Sequence, residues 1–323
     1  KPIENYKISG QLIDKNMHLN VQNKIDMTIN EDINVYIHDC GINIPQIRNF
    51  FNDINISSDK NGTSKTILNS KNIYFDLGSN RKIISDTIQL QYVNSILTAQ
   101  LIHKNGTAGL KLNDDKFHLY GSNFNDEFME KISSLSKFKG GTLDFSVNGK
   151  LEDYNGVFYI NDTTVLDYKV LNNVLAFVNT IPSLVTFSLP GYSKNGLKVK
   201  TSYGKFNVKD GLFNVSDFVI DSKEIDIFGK GVASIKNDTI EATLNLRTDL
   251  GSNISKIPLV GYIIFDGDSI STNMSVTGKL SDPDVKSLLA KDIIVAPLNI
   301  LKRTILLPFQ LISNVIGDTN DSK

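Results

Sequence analysis

Apolar and polar residues alternate one by one through most of this chain, and that period of two constrains its fold more than any other feature. Leu143, Phe145 and Val147 alternate with Asp144, Ser146 and Asn148; Leu197 and Val199 alternate with Lys198 and Lys200. Phe206 and Val208 flank Asn207, and Ile240, Ala242, Leu244 and Leu246 alternate with Glu241, Thr243 and Asn245. Ile270, Met274 and Val276 follow in the same manner. Such segments are strands with one apolar face each. Asn-Gly or Asp-Gly pairs at 61, 105, 148, 155, 195, 210 and 266 punctuate them. These dipeptides accept positive φ at both central positions, as two-residue hairpin turns require. The pattern predicts roughly 14–18 antiparallel strands at one per 8–12 residues.

Three helices are expected. Asn125 or Asp126 caps a short one with Phe128, Ile132 and Leu135 on its apolar stripe. A second runs near Tyr168 to Thr180, stopped before Pro182, and a third near Ser252 to Ile264, broken at Pro258. So few helices cannot cover so many strands, whose apolar faces are worth about 25 cal/mol per Å² when buried. A second sheet, closure into a barrel, or a curled trough filled by something other than protein each meets that demand. Alternation alone does not choose among them. As a trough, some 15 strands would extend on the order of 70 Å.

Composition bears on what such a sheet serves. The 323 residues carry 34 Lys+Arg against 35 Asp+Glu, which leaves no basic field for nucleic acid. The single Cys40 excludes an internal disulfide. No uninterrupted run of 18 apolar residues is present, so no membrane-spanning helix is expected. The four histidines, 18, 38, 103 and 118, are scattered and read as solvated surface residues. His38-Asp39-Cys40 lacks the second ligand pair that a metal site needs. No nucleophile elbow, phosphate loop, dinucleotide fingerprint or zinc-protease motif occurs. The sequence nominates no catalytic residue, metal or cofactor, and the chain is read as non-enzymatic.

After Asp282-Pro283-Asp284 the pattern changes to an eleven-residue repeat, KDIIVAPLNIL from Lys291 and KRTILLPFQLI from Lys302, continuing at Ser313. Eleven residues nearly complete three helical turns, so equivalent positions share a face. Lys291, Lys302, Arg303, Asn299 and Gln310 fall within an arc of roughly 140° at 100° per residue. Ile293, Ile294, Leu298, Leu301, Ile305, Ile312 and Ile316 lie outside it, Phe309 falls on its edge, and Val295 and Leu306 are exceptions inside it. One reading is an amphipathic helix over 286–316, kinked at Pro297 and Pro308, resting on a membrane surface or capping a lipid-filled groove. The other is an ordinary terminal helix packed on the sheet. Residues 317–323 are expected to be disordered.

From 140 to 310 the order of motifs is itself informative. GTLDFSVNGKL is followed by VLNNVLAFVNTIPSL, GLKVKTSYGKFNVKDGLFNVSDFVIDS, GKGVASIKNDTIEATLNLRT, IPLVGYIIFDGD and a strand ending VTGKLSDPDV. This order resembles the C-terminal region of AsmA-like envelope proteins, the group that includes AsmA, YhdP and TamB. The resemblance implies a mainly β fold, a long curled antiparallel sheet forming a hydrophobic groove. Residues 1–139 would form its strand-rich first part and 140–285 the AsmA-like region. It further implies a periplasmic lipid conduit, held at the inner membrane by a segment upstream of Lys1, that moves phospholipid between inner and outer membrane. On that reading Leu143, Phe145, Val147, Leu197, Val199, Phe206, Val208, Leu244, Leu246, Met274 and Val276 line the groove. Which parity of GLFNVSDFVIDS faces inward is open. The alternative is a scaffold for outer-membrane or envelope protein assembly, acting through strand edges.

Overall fold

In the computed structural model, residues 7–45, 65–78, 80–133, 137–167, 173, 196–222, 225–249, 263–266 and 269–288 are described. They form one continuous sheet of twenty strands. The first five are β1 (Ile8–Ile13), β2 (Asn16–Val21), β3 (Ile25–Ile29), β4 (Ile33–His38) and β5 (Gly41–Asn43). A long hairpin follows, β6 (Thr66–Gly78) and β7 (Arg81–Val93), then β8 (Ile96–His103), β9 (Gly106–Asn113) and β10 (Lys116–Phe124). Helix α1 (Asp126–Ser133) and β11 (Lys137–Lys139) precede β12 (Thr142–Lys150), β13 (Asp153–Asp167) and β14 (Leu197–Lys209). The sheet ends with β15 (Leu212–Ser222), β16 (Asp226–Ser234), β17 (Thr239–Asp249), β18 (Ile263–Asp266), β19 (Ser269–Lys279) and β20 (Asp282–Ser287).

The sheet is mixed rather than wholly antiparallel: β4 and β5 both run parallel to β6. A parallel neighbour requires a crossover of a dozen or more residues, and the chain between Asn43 and Thr66 supplies that length. All other pairings are antiparallel, and β10 pairs with β12 across the boundary expected at 139/140. The expected third helix is corrected at its end, where Ile263 and Ile264 pair with Thr272 and Ser271 as β18. Residues 252–262 of that expectation lie outside the described residues. So does the second expected helix, except Asn173, which is helical and donates from Nδ2 to the Pro283 carbonyl at 3.0 Å. Strand β20 reaches Ser287, into the segment expected to begin the tail. The rest of that tail is outside the described residues.

Turn chemistry differs from the simplest expectation in an instructive way. Asp210-Gly211 turns as expected, with φ of 53° and 78°. Several tight turns instead use pairs without glycine, Asp14-Lys15 at 47° and 70° and Asn94-Ser95 at 50° and 63°. Short polar side chains tolerate this region better than branched ones. Asn148-Gly149 and Asn155-Gly156, expected as turns, lie inside β12 and β13. Gly156 stands in the strand because a ring from the next strand lies across it: a Cβ there would sit 2.2 Å from the Phe206 ring.

Helix α1 forms where its cap predicts. Phe128 N donates to Asn125 Oδ1 at 3.2 Å, and Asp126 and Glu127 occupy the positive end of the helix. Phe128 and Met129 are buried against Phe124 and Leu143, with the Phe124 and Phe128 rings stacked at 4.0 Å. Polar ties hold the helix to the sheet: Lys104 Nζ to Glu127 at 2.6 Å, Gly140 N to Asp126 at 2.7 Å, and Phe138 N to Glu130 at 2.9 Å. His103, expected at the surface, is buried, and its Nδ1 lies 3.2 Å from Asp86. It occupies the end of β8, where α1 closes over it, a consequence of helix docking that its local sequence does not encode.

Candidate functional site

The pairing register fixes which residues share a face, and following it strand by strand gives a simple result. From Gly10 the partners run through Leu19, Met27, Val35, Leu68, Leu90, Ala99, Leu110 and Leu119. From Leu119 they continue through Val147, Gly156, Phe206, Val215, Gly231, Ala242, Val276 and Val285. One residue from each of seventeen strands stands in this row, and every one is apolar or glycine. At the usual strand spacing the row extends roughly 75–80 Å along the sheet.

The neighbouring row, one residue away on each strand, faces the other side. It runs Gln11, His18, Thr28, Asn34, Ile67, Gln91, Thr98, Lys111 and His118, then Asn148, Asn155, Asn207, Asn214, Val232, Glu241, Thr277 and Asp284. Only Ile67 and Val232 in it are apolar. The alternation seen in the sequence is therefore held in phase from one end of the sheet to the other.

Phase is kept by local irregularities. Asn72 and Asp162 take left-handed φ of 52° and 51° inside β6 and β13. After each, the inward set changes from even to odd numbers, so Ile73 and Phe75 follow Ser70, and Thr163 and Val165 follow Ile160. A bulge between Val215 and Phe218 shifts β15 the opposite way, from odd to even numbers. It also answers the open parity of that segment: Phe213 and Val215, then Phe218 and Ile220, lie on the apolar side.

On this face an apolar cavity of about 800 Å³ runs from β6 to β16, within the range of roughly 300–1,000 Å³ typical of ligand pockets. Phe128, Met129 and Ile132 of α1 line one part of it. Of the residues singled out from sequence, Leu143, Phe145, Val147, Val199 and Phe206 line the cavity. Leu197, Val208, Leu244, Leu246, Met274 and Val276 share the face beyond it, by the pairings Val165↔Leu197, Tyr154↔Val208, Leu244↔Met274 and Ala242↔Val276. Leu143, Leu197, Val199, Val208, Leu246, Met274 and Val276 are buried, whereas Phe145, Val147, Phe206 and Leu244 are half-buried. Sequence reasoning missed the lining from the first half of the chain, such as Leu90, Leu101, Leu110 and Leu119. The signal was present as alternation in QLQYV and ILTAQLIH.

Electrostatics set the two faces apart. On the polar side Asp144 accepts from Asn123 N at 2.9 Å, yet burial pushes its carboxyl above the ordinary range. Tyr159 and Tyr203 meet there with ring centroids 5.0 Å apart, and burial, then Tyr203, push Tyr159 up to about 12. No group of three or more His, Cys, Asp or Glu among the described residues is arranged to hold a metal ion. No helix among the described residues is long and apolar enough to cross a membrane.

Comparison with known proteins gives one result that bears on this geometry. A family model described as YhdP protein matches residues 3–285, which takes in every described strand except the last two residues of β20. No curated protein and no solved structure matches the chain.

Proposed function

The chain belongs to the YhdP family, and from that premise and its uninterrupted apolar face we propose that it is a lipid-binding conduit of the bacterial envelope. Acyl chains lie along the apolar row, on a sheet curled into a groove, while headgroups stay in water at the open edge. The observation that carries this reading is the seventeen-strand row without one polar side chain. A protein-filled core would need only a local apolar cluster, whereas a path for a sliding chain needs continuity. Burial without directional bonds suits acyl chains, because the hydrophobic effect is proportional to area and indifferent to position. The activity is non-enzymatic, the location periplasmic, and the cargo phospholipid moving between inner and outer membrane. The repeat over 291–316 adds a membrane-surface contact in this reading, with Lys302 and Arg303 toward headgroups and Ile305, Phe309 and Ile312 toward acyl chains.

Mass spectrometry of an organic extract of purified protein tests the conduit. Stoichiometric phospholipid is expected with the native chain. The Val147→Asp, Phe206→Asp double variant should lose it while circular dichroism still reports a folded sheet, and Ser146→Asp on the opposite face should keep it. Lipid retained by the folded double variant would count decisively against the groove. Removal of 291–323 should abolish flotation with liposomes.

A second reading, a scaffold that captures partner strands, draws on the asymmetry of the two sheet edges. Strand β1 reads ISGQLI, is exposed throughout and has no charge, with Leu12 71% exposed. Strand β20 reads DPDVKS, the charges and proline with which edges resist addition. Absence of lipid in the extract together with capture of β-barrel assembly components would favour the scaffold.

A further inference from the structure

The apolar face carries one formal charge among the described side chains that the register assigns to it. Arg81 opens β7 and alternates with Ile83, which lines the cavity, so both point to the same side. Its neighbour Lys82 faces the other way, with Nζ 4.5 Å from the centroid of the Tyr74 ring. Half-buried Arg81 makes no ion pair among the described residues, and its Nε is buried with no hydrogen-bond partner. An unmade bond to a charged buried donor is expensive, so a guanidinium left in this state is matched to an acceptor that arrives from outside.

A second polar group shares the face. Tyr154 of β13 shares the face through its pairing with Val208, and its ring meets Phe117 edge-on at 5.7 Å. The Arg81 charge lies close enough to pull the Tyr154 phenol down while burial pushes it up, the burial effect being the larger. The face thus holds a guanidinium on β7 and a phenol hydroxyl on β13, while the cavity on it is lined by apolar residues and glycine apart from Ser133, Thr163 and Ser202.

We propose that Arg81 binds a phosphate group, and that this is where a phospholipid headgroup is held while its acyl chains lie in the cavity. The inference rests on the conduit reading and adds a headgroup requirement to it. Guanidinium and phosphate match as a bidentate pair, whereas the fatty chains alone would need no such partner.

Equilibrium binding of dioleoyl phosphatidylglycerol and of dioleoylglycerol, which has the same chains and no phosphate, tests it on the full chain. The native protein should prefer the phospholipid by about tenfold, the size of one charge-assisted contact. R81Q should erase that preference while binding dioleoylglycerol as before, R81K should restore part of it, and K82Q should leave it intact. Displacement of phosphatidylglycerol by millimolar inorganic phosphate, seen with the native chain and absent with R81Q, would show that free phosphate reaches the same donors. Lack of displacement would assign them to the esterified headgroup. Undiminished preference in folded R81Q overturns the phosphate site and leaves the conduit standing. Failure of the native chain to bind either lipid overturns both.

Discussion

The row through Val147 and the row through Asn148 cross the same seventeen strands one residue apart, and they differ in chemistry at nearly every position. One has no polar side chain; the other has two apolar ones, Ile67 and Val232. The difference teaches what register has to achieve in a sheet this long. A slip of one residue at any pairing would exchange the faces of everything beyond it. The left-handed residues Asn72 and Asp162 and the bulge between Val215 and Phe218 would have that effect if the inward set did not change phase with them. Side-chain burial decides the phase, because the apolar residues on either side of each bulge gain only by meeting on one face.

The largest way to break the contrast is to put a charge on the apolar side where no solvent reaches. Met274 is fully buried, so Met274→Asp should cost about 4 kcal/mol or more and melt the β17–β20 end of the sheet. Ser275→Asp, one residue away and opposite Lys286, should stay within about 0.5 kcal/mol. Equal thermal stability of the two variants would remove the distinction between faces.

A smaller effect probes how rings are accommodated on the apolar row. Gly156→Ala brings a methyl to the Phe206 ring and should cost about 1–3 kcal/mol, seen as a lowered denaturation midpoint. Val147→Ala on the neighbouring strand, followed in the same way, should not displace that ring. An unchanged midpoint for Gly156→Ala would mean that Phe206 does not lie across the strand.

The smallest effect sharpens the contrast where the polar side is least wet. Burial raises the Asp144 carboxyl, so the folded chain holds that proton more tightly than the unfolded chain does. Stability from this group is therefore present below its ordinary value of 3.8 and is lost as pH rises through the raised one. Asp144→Asn keeps an acceptor for Asn123 N and avoids the buried charge. It should raise Tm at neutral pH by an amount worth under about 1 kcal/mol, and the gain should vanish in acid. A gain that persists below pH 3.8, or a loss at pH 7, would contradict this sign.

Much of the architecture was legible in local pattern. Alternation identified strands, and all eleven residues singled out between Leu143 and Val276 stand on one face. Asn125 and Phe128 announced α1 through cap and stripe. The repeat after Lys291 was equally plain, although its residues lie outside those described. Less legible was anything set by a distant partner. Asn148-Gly149 and Asn155-Gly156 have the chemistry of turns, yet lie within strands because Phe206 and Tyr154 fill the space a side chain would take. His103 looked like a surface histidine and is buried because α1 docks on its hairpin.

The sequence by itself determined that this protein is a sheet with two unlike faces, since the period of two is a property of each strand alone. It also determined that the chain is close to neutral, 34 Lys+Arg against 35 Asp+Glu, because charge balance needs no coordinates. Only the tertiary structure decided that the faces align across seventeen strands, that β4 and β5 run parallel to β6, and that Arg81 lies on the apolar side. Those facts depend on which strands pair and in what register. Register is a contest between burial energies of segments far apart in the chain, and no single segment contains its outcome.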